Sequence, residues 1–363
     1  MKSKSTIFLT GAAGFLGSYL LKILLENEHR VFALVRGKKE KSAYSRVIDI
    51  LTFWDSSIAQ KPCIKNVEVI DGDISYPDLG IKDARSKERV LSETQMIIHS
   101  AAVARLNEPL ESIRKPNVEG TRNVFDFALQ FKKLQKINHI STVYVVGTKM
   151  GITFTEDMLD IGQGFHNTYE QTKFEAEKLV HEYRKKSLDI SIFRPSMVIG
   201  DSKEGKTNDF RLIYEPLHFF SQEIYEKFPA DPECFQNLVN VDTVGNTLYL
   251  LSREKGNATY HLVSPKPTYI GSFMKLAGES FGFKMPEFIP AGKFDYAALT
   301  PVQKALAGPY IPYFNYTTTF SCEKTRQALK EFGYAYPNVD NENLLKILAY
   351  CIKRGYIRQE QRT

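Results

Sequence analysis

Tyr169 and Lys173 stand four residues apart in Tyr169-Glu170-Gln171-Thr172-Lys173. On a helix that spacing puts both side chains on one face, within reach of one ligand. A phenol beside an ammonium is an acid–base unit. The Lys173 charge favours the phenolate and lowers the Tyr169 pKa, and Tyr169 then exchanges a proton with a carbonyl oxygen as hydride moves. A chain with 19 Tyr and 48 Lys plus Arg meets this motif by chance, so its setting must carry the argument. Ser141-Thr142 closes the strand-like segment just before it. Thr142 is read as the hydroxyl that orients the carbonyl; the alternative is a β-branched strand residue with no chemical part. Asn117 opens "NVEGT" and is either an N-cap or a support for a water-linked proton path.

The hydride needs a carrier, and the N-terminal glycines point to one. Thr10-Gly11-Ala12-Ala13-Gly14-Phe15-Leu16-Gly17 has GxxGxxG spacing between an opening strand and an amphipathic helix. Gly11 allows the tight turn, Gly14 lets the backbone approach a pyrophosphate, and Gly17 lets the helix lie on the strand. The helix then offers free N–H groups to the phosphates. In such a site Lys173 holds the nicotinamide ribose. A site preferring a free ribose 2′-hydroxyl ends its second strand in Asp or Glu. Here that strand ends Leu34-Val35-Arg36-Gly37-Lys38-Lys39, with Arg46 a turn or two further. Cations without a carboxylate suit a 2′-phosphate, hence NADP(H); a solvated basic loop is the alternative.

These residues require a scaffold that brings strand ends together. Apolar strand-like runs at 6–11, 30–37, 66–74, 96–102, 136–147 and 189–200 alternate with helical runs at 17–27, 118–131 and 169–186. Continuous β-branched runs between helices imply a parallel sheet covered on both faces. The expected fold class is therefore α/β, a doubly wound sheet. After residue 200 the rhythm breaks. Residues 200–209 read as a polar loop, 235–251 as a strand and helix returning to the sheet, 258–264 as the last strand, and 341–354 as a helix. The expected division is a cofactor-binding domain, 1–200 plus about 236–264. A smaller, mostly helical substrate-binding part takes about 201–235 and 265–363.

Composition narrows the partners. The 363 residues include 24 Phe and 19 Tyr, enough for a sizeable core and an apolar pocket. The net charge of +6 favours an anionic cofactor or an acidic carrier protein and is too dispersed for nucleic acid. The four cysteines form no CxxC pair, which speaks against a disulfide framework or a metal site and fits the reducing cytoplasm. Met1-Lys2-Ser3-Lys4 and the apolar stretch Ile7 to Leu21 imitate a signal peptide, but the spaced glycines fit the phosphate loop instead. No apolar run is long enough to span a bilayer.

Together these segments resemble the extended short-chain dehydrogenase/reductase superfamily: "TGAAGFLG" (10–17), "HSAA" (99–102), "NVEGT" (117–121), "STVYVVG" (141–147), "YEQTK" (169–173) and "RPSMVIG" (194–200) occur in its order. "ALVRG" (33–37), "VIDGDISYPDLGI" (69–81) and "PYFNYTTTFSCEKTRQAL" (312–329) are similar to thioester reductase domains and fatty acyl-CoA reductases. The resemblance implies site residues. Arg36 and Arg46 would hold the 2′-phosphate, and Asp73 and Ile74 would flank the adenine. Ser100, Ala101 and Ala102 would line the cleft, with Thr10, Phe15 and Leu16 in the phosphate loop. Pro195, Met197 and Val198 would pack near the nicotinamide, and Thr142, Tyr169 and Lys173 would be catalytic. It implies an NADPH-dependent reductase of an acyl thioester, on CoA or on a carrier protein, giving aldehyde or alcohol. A nucleotide-sugar epimerase or dehydratase, a small-carbonyl reductase and a non-catalytic NADP sensor are the rival readings. Helix pairs of the superfamily often form dimers, so a homodimer is a candidate assembly.

Overall fold

The computed structural model describes residues 4–186 and 188–358. Met1, Lys2 and Ser3 of the signal-like start lie outside them. Seven parallel strands form the central sheet: β1 (Thr6–Thr10), β2 (Arg30–Val35), β3 (Val67–Asp71), β4 (Met96–His99), β5 (Lys136–Ile140), β6 (Ile190–Pro195) and β7 (Thr259–Leu262). Their order is β7-β6-β5-β4-β1-β2-β3. The chain runs outward from β1 to β3, then crosses back to β4 on the other side of β1. That reversal opens a crevice at the carboxyl ends of β1 and β4, where such sheets bind ligands. Thr10 lies opposite Leu34 on β2 and His99 on β4, so all three strand ends meet there.

The strands are buried along nearly their whole length, as continuous apolar runs require when helices cover both faces. The first helix, Phe15–Glu26, buries Leu20, Leu21, Ile23, Leu24 and Leu25. It packs against the helix Val241–Leu251, where a side chain at Gly245 would meet Ile23 and Tyr19 at 2.8 and 2.9 Å.

Four expectations are corrected. Residues 66–74 hold a shorter strand ending at Asp71, which leaves Asp73 and Ile74 in the loop above the sheet. Residues 136–147 are not one strand: β5 stops at Ile140, and Val143–Val146 forms a buried 3₁₀ turn capped by the Thr142 hydroxyl. The helix expected from 118 begins earlier, as Leu110–Arg114, a π-helical turn Lys115–Glu119, then Gly120–Ala128. Asn117 is therefore inside a helical run and is no N-cap. Leu238–Asn240 does not return to the central sheet but pairs with Met197–Ile199, an extension beyond β6.

The C-terminal part is mostly helical, with Tyr214–Ser221, Ile270–Phe281, Pro301–Ala307 and Asn341–Lys353 around an aromatic core. Phe228 meets Phe220 and Phe314 edge-on with ring centres 5.0 and 5.2 Å apart, a preferred aromatic geometry. The helix Glu323–Lys330 belongs instead to the sheet side, where Leu329 joins the apolar layer containing Leu248 and Leu262.

Candidate active site

The phosphate loop is built by close backbone approach. Gly11 has φ +75°, and a Cβ there would sit 2.7 Å from the Ala101 nitrogen, so the turn after β1 and the segment after β4 touch. A Cβ at Gly17 would collide with the Gly11 carbonyl. Gly14 is the N-cap of the first helix and supplies no side-chain acceptor, leaving the first N–H groups open toward the cleft. Thr10 does not line the cleft. It is buried, accepts the Ala101 N–H at 3.2 Å and lies 2.8 Å from His99 Nδ1, so it ties β1 to β4.

The crevice has two continuous halves. The first encloses about 740 Å³ of open space and is lined by Gly11, Gly14, Arg36, Arg46, Asp73, Ile74, Ser100, Ala101 and Ala102. The Arg46 guanidinium donates to the Arg36 carbonyl at 2.5 Å, and Arg36 reaches Asp73 at 3.5 Å. Burial and the neighbouring Arg36 charge lower the Arg46 pKa. Arg36, Arg46 and Asp73 thus stand together along this half of the crevice.

The second half gathers Phe15, Leu16, Gly17, Thr142, Tyr169, Lys173, Pro195 and Val198. Tyr169 and Lys173 project from the helix Thr168–Arg184, whose N-cap Asn167 accepts the Glu170 N–H at 3.0 Å. Thr142 donates to the Pro195 carbonyl at 3.2 Å and lines the same half of the crevice as Tyr169. Burial pushes the Tyr169 phenol up to about 12, opposed by the Arg211 charge. Burial likewise brings the Lys173 ammonium down to about 8. Lys173 donates to the Ile140 carbonyl at 2.6 Å. The expected lowering of the Tyr169 pKa by Lys173 is thus corrected: the phenol lies above its ordinary value, and Arg211 is the cation drawing it down.

Arg211 escaped the sequence reading, together with Asp209 and Leu212. All three line this half of the crevice from the loop before Tyr214. Asp209 holds the guanidinium at 2.7 Å, and Arg211 donates to the Ala104 carbonyl at 2.6 Å, strapping the loop across the cleft. A polar loop has no periodicity, so no sequence signal marked them.

Two expected residues stand elsewhere. Met197 lines an apolar chamber next to the cleft, while its neighbour Val198 lines the cleft itself. Asn117 accepts the Val103 N–H at 2.7 Å and donates to the Val103 carbonyl and Thr172 hydroxyl, both at 3.0 Å. Its side chain pins the segment after β4 to the catalytic helix. The chamber is walled by Leu106, Met197, Ile213, Phe273, Met274, Tyr313 and others. Leu212, with φ +56°, lines both chamber and cleft. The four cysteines are free, three of them buried. Among the described residues there is no group of three metal-ligating side chains, and no helix is long and apolar enough to cross a membrane.

Residues 9–248 match the NAD-binding family described as Male sterility protein. The chain belongs to this family. Its relatives include a linear gramicidin synthase of Brevibacillus parabrevis, 26% identical over 98% of this chain and 7% of that protein. Fatty acyl-CoA reductase wat of Drosophila melanogaster is 29% identical over 67% of this chain and 53% of its own length. The chain thus spans about half or much less of these relatives. Among solved structures, the terminal R domain from the myxalamid PKS-NRPS biosynthetic pathway superposes with a TM-score of 0.84 at 26% identity, covering 99% of this chain and 94% of that one. The chain's relatives and structural neighbours include fatty acyl-CoA and carboxylic acid reductases and a terminal R domain.

Proposed function

We propose that this Male sterility family member reduces an acyl thioester with NADPH to the aldehyde. The observation that carries this reading is the juxtaposition of the Thr142–Tyr169 hydroxyl pair with an apolar chamber reached past Leu212. The cofactor supplies hydride. The Tyr169 hydroxyl, beside Thr142 in the cleft, faces the thioester oxygen and stabilises its developing charge. Tyr169 then gives that oxygen its proton. The hemithioacetal so formed breaks its carbon–sulfur bond, releasing thiol and leaving aldehyde. The chamber takes the acyl chain, which a sugar nucleotide would fill badly. The sheet part binds the cofactor and the C-terminal part the acyl group. A carrier-bound thioester suits the basic chain, and the likeness to a gramicidin synthase and to the myxalamid R domain supports that source over CoA. Free thiols fit a cytoplasmic setting.

The test is loss of NADPH absorbance with acyl-CoAs and acyl-carrier proteins, scored together with release of free thiol. Aldehydes and sugar nucleotides serve as comparators. Oxidation with thiol release supports the reading; turnover of aldehydes alone would reduce the chain to a carbonyl reductase.

Cofactor choice follows from Arg36 and Arg46. Replacing both with Ala is expected to raise KM for NADPH about 10- to 100-fold, since charge-assisted hydrogen bonds are worth roughly 1.5–3 kcal/mol. NADH is expected to lose little, because its 2′-hydroxyl finds Asp73 freed of its partner. Steady-state kinetics with both cofactors decide it, and equal losses would assign the two arginines to loop shape instead.

A further inference from the structure

Tyr313 occupies an unusual position. Its ring helps to wall the apolar chamber, from the 3₁₀ turn Ile311–Asn315 in the C-terminal part. Its hydroxyl leaves the chamber and reaches the catalytic helix. There it donates to Glu170 Oε1 at 2.6 Å and accepts from Asn167 Nδ2 at 2.7 Å. Asn167 is the N-cap of that helix, and Glu170 follows Tyr169 directly. The second Glu170 oxygen accepts the His166 N–H at 2.9 Å. The Tyr313 carbonyl accepts from Gln236, which in turn accepts the Tyr144 hydroxyl at 3.2 Å. Glu170 is fully buried and Tyr313 nearly so.

A carboxylate withdrawn from water without a cationic partner is costly, and the protein gains nothing in core packing from it. The first turn of the helix is already capped by Asn167. What Glu170 adds is a fixed joint between the chamber wall and the start of the helix that carries the catalytic phenol. We propose that Tyr313 is a positioning residue: through Glu170 and Asn167 it sets the place of the Tyr169 hydroxyl relative to an acyl group seated in the chamber. This inference rests on the thioester reading for the nature of the chamber's occupant.

The joint has a protonation state. Ionised, Glu170 accepts from both Tyr313 and His166. Protonated, one of its oxygens becomes a donor and one of those bonds is lost. Burial raises the Glu170 carboxyl to about 7, while the Tyr313 hydrogen bond holds it down. The titratable groups around it are Tyr144, Tyr313 and Tyr316 from the neighbouring elements, and His166 and Tyr169 on its own segment. The tyrosines are all held above their ordinary value by burial, and burial lowers the His166 pKa. The joint is therefore made above about pH 7 and loosened below it.

The experiment measures kcat, KM for NADPH and the pH profile of wild type, Tyr313→Phe and Glu170→Gln, with octanoyl-CoA and octanal as substrates. Wild type is expected to lose kcat as pH falls through about 7. Tyr313→Phe is expected to lose about tenfold in kcat, since small misplacements of reacting groups cost that much or more, with KM for NADPH within about twofold. Its acid limb moves to higher pH, because the hydrogen bond that held the carboxyl down is gone. Glu170→Gln is expected to have no such limb. If Glu170→Gln does not fold, Tyr313→Phe decides alone. A merely structural tyrosine would lower the thermal midpoint and leave the limb where it was; that result, or a Tyr313→Phe profile superimposable on wild type, overturns the proposal. Reduction of octanal with no reduction of octanoyl-CoA or of an octanoyl-carrier protein would remove the thioester reading yet still test the joint.

Discussion

Replacing Tyr169 with Phe is expected to lower kcat by about two to four orders of magnitude while leaving NADPH affinity within about twofold. The substitution deletes one hydroxyl and keeps the ring that lines the cleft. At working pH the wild-type phenol is fully protonated, because burial holds it near 12. It is therefore set up as an acid, which is the direction a reductase needs. Arg211 keeps that acid from being too weak: its charge favours the phenolate that remains after the proton has left. Thr142 does not take over the donation, since its hydrogen goes to the Pro195 carbonyl. Steady-state turnover and a fluorescence titration with NADPH check the two halves separately. A Tyr169→Phe enzyme with more than about a tenth of wild-type kcat would place the proton donor elsewhere.

How far the sequence carries depends on whether a residue answers to a local rule. The glycines were legible because their spacing is imposed by backbone contact, and Gly11 and Gly17 meet that contact in the structure. The strand rhythm to residue 200 was legible because buried parallel strands are continuous and apolar. Val143–Val146 defeated the same rule: β-branched and apolar, it reads as strand, yet burial in the aromatic core serves a 3₁₀ turn equally well. Met197 and Val198 show the limit of a motif, since successive residues of an extended segment face opposite sides. One points to the chamber and the other to the cleft. Lys173 shows the limit of helical spacing. Four residues after Tyr169 puts it in the cleft lining, but nothing in that spacing foretells that one of its three N–H groups goes to the Ile140 carbonyl at the end of β5. Arg211 and the Tyr313–Glu170 joint depend on segments brought together from distant parts of the chain. No window of sequence contains them.

Replacing Glu177 with Leu is expected to destabilise the fold by about 3–5 kcal/mol, because it strands a buried guanidinium. Arg194 and Glu177 are 1% and 0% exposed and meet at 3.0 Å through Nε. The remaining Arg194 nitrogen faces His261, which burial holds down to about 3 and thus neutral, and able to accept. The pair lies beneath the catalytic hydroxyl. Glu177 accepts from Ser141 at 2.6 Å, Arg194 precedes Pro195, and the Pro195 carbonyl receives the Thr142 hydroxyl. A buried ion pair is a poor source of net stability, so the double replacement Arg194→Met with Glu177→Leu is expected to recover much of the loss in urea unfolding. It is not expected to recover kcat, because Ser141 then loses its anchor next to Thr142. If the double variant regains both stability and turnover, the pair is ballast for the fold; if it regains stability alone, the charge was retained to hold the catalytic strand end in place.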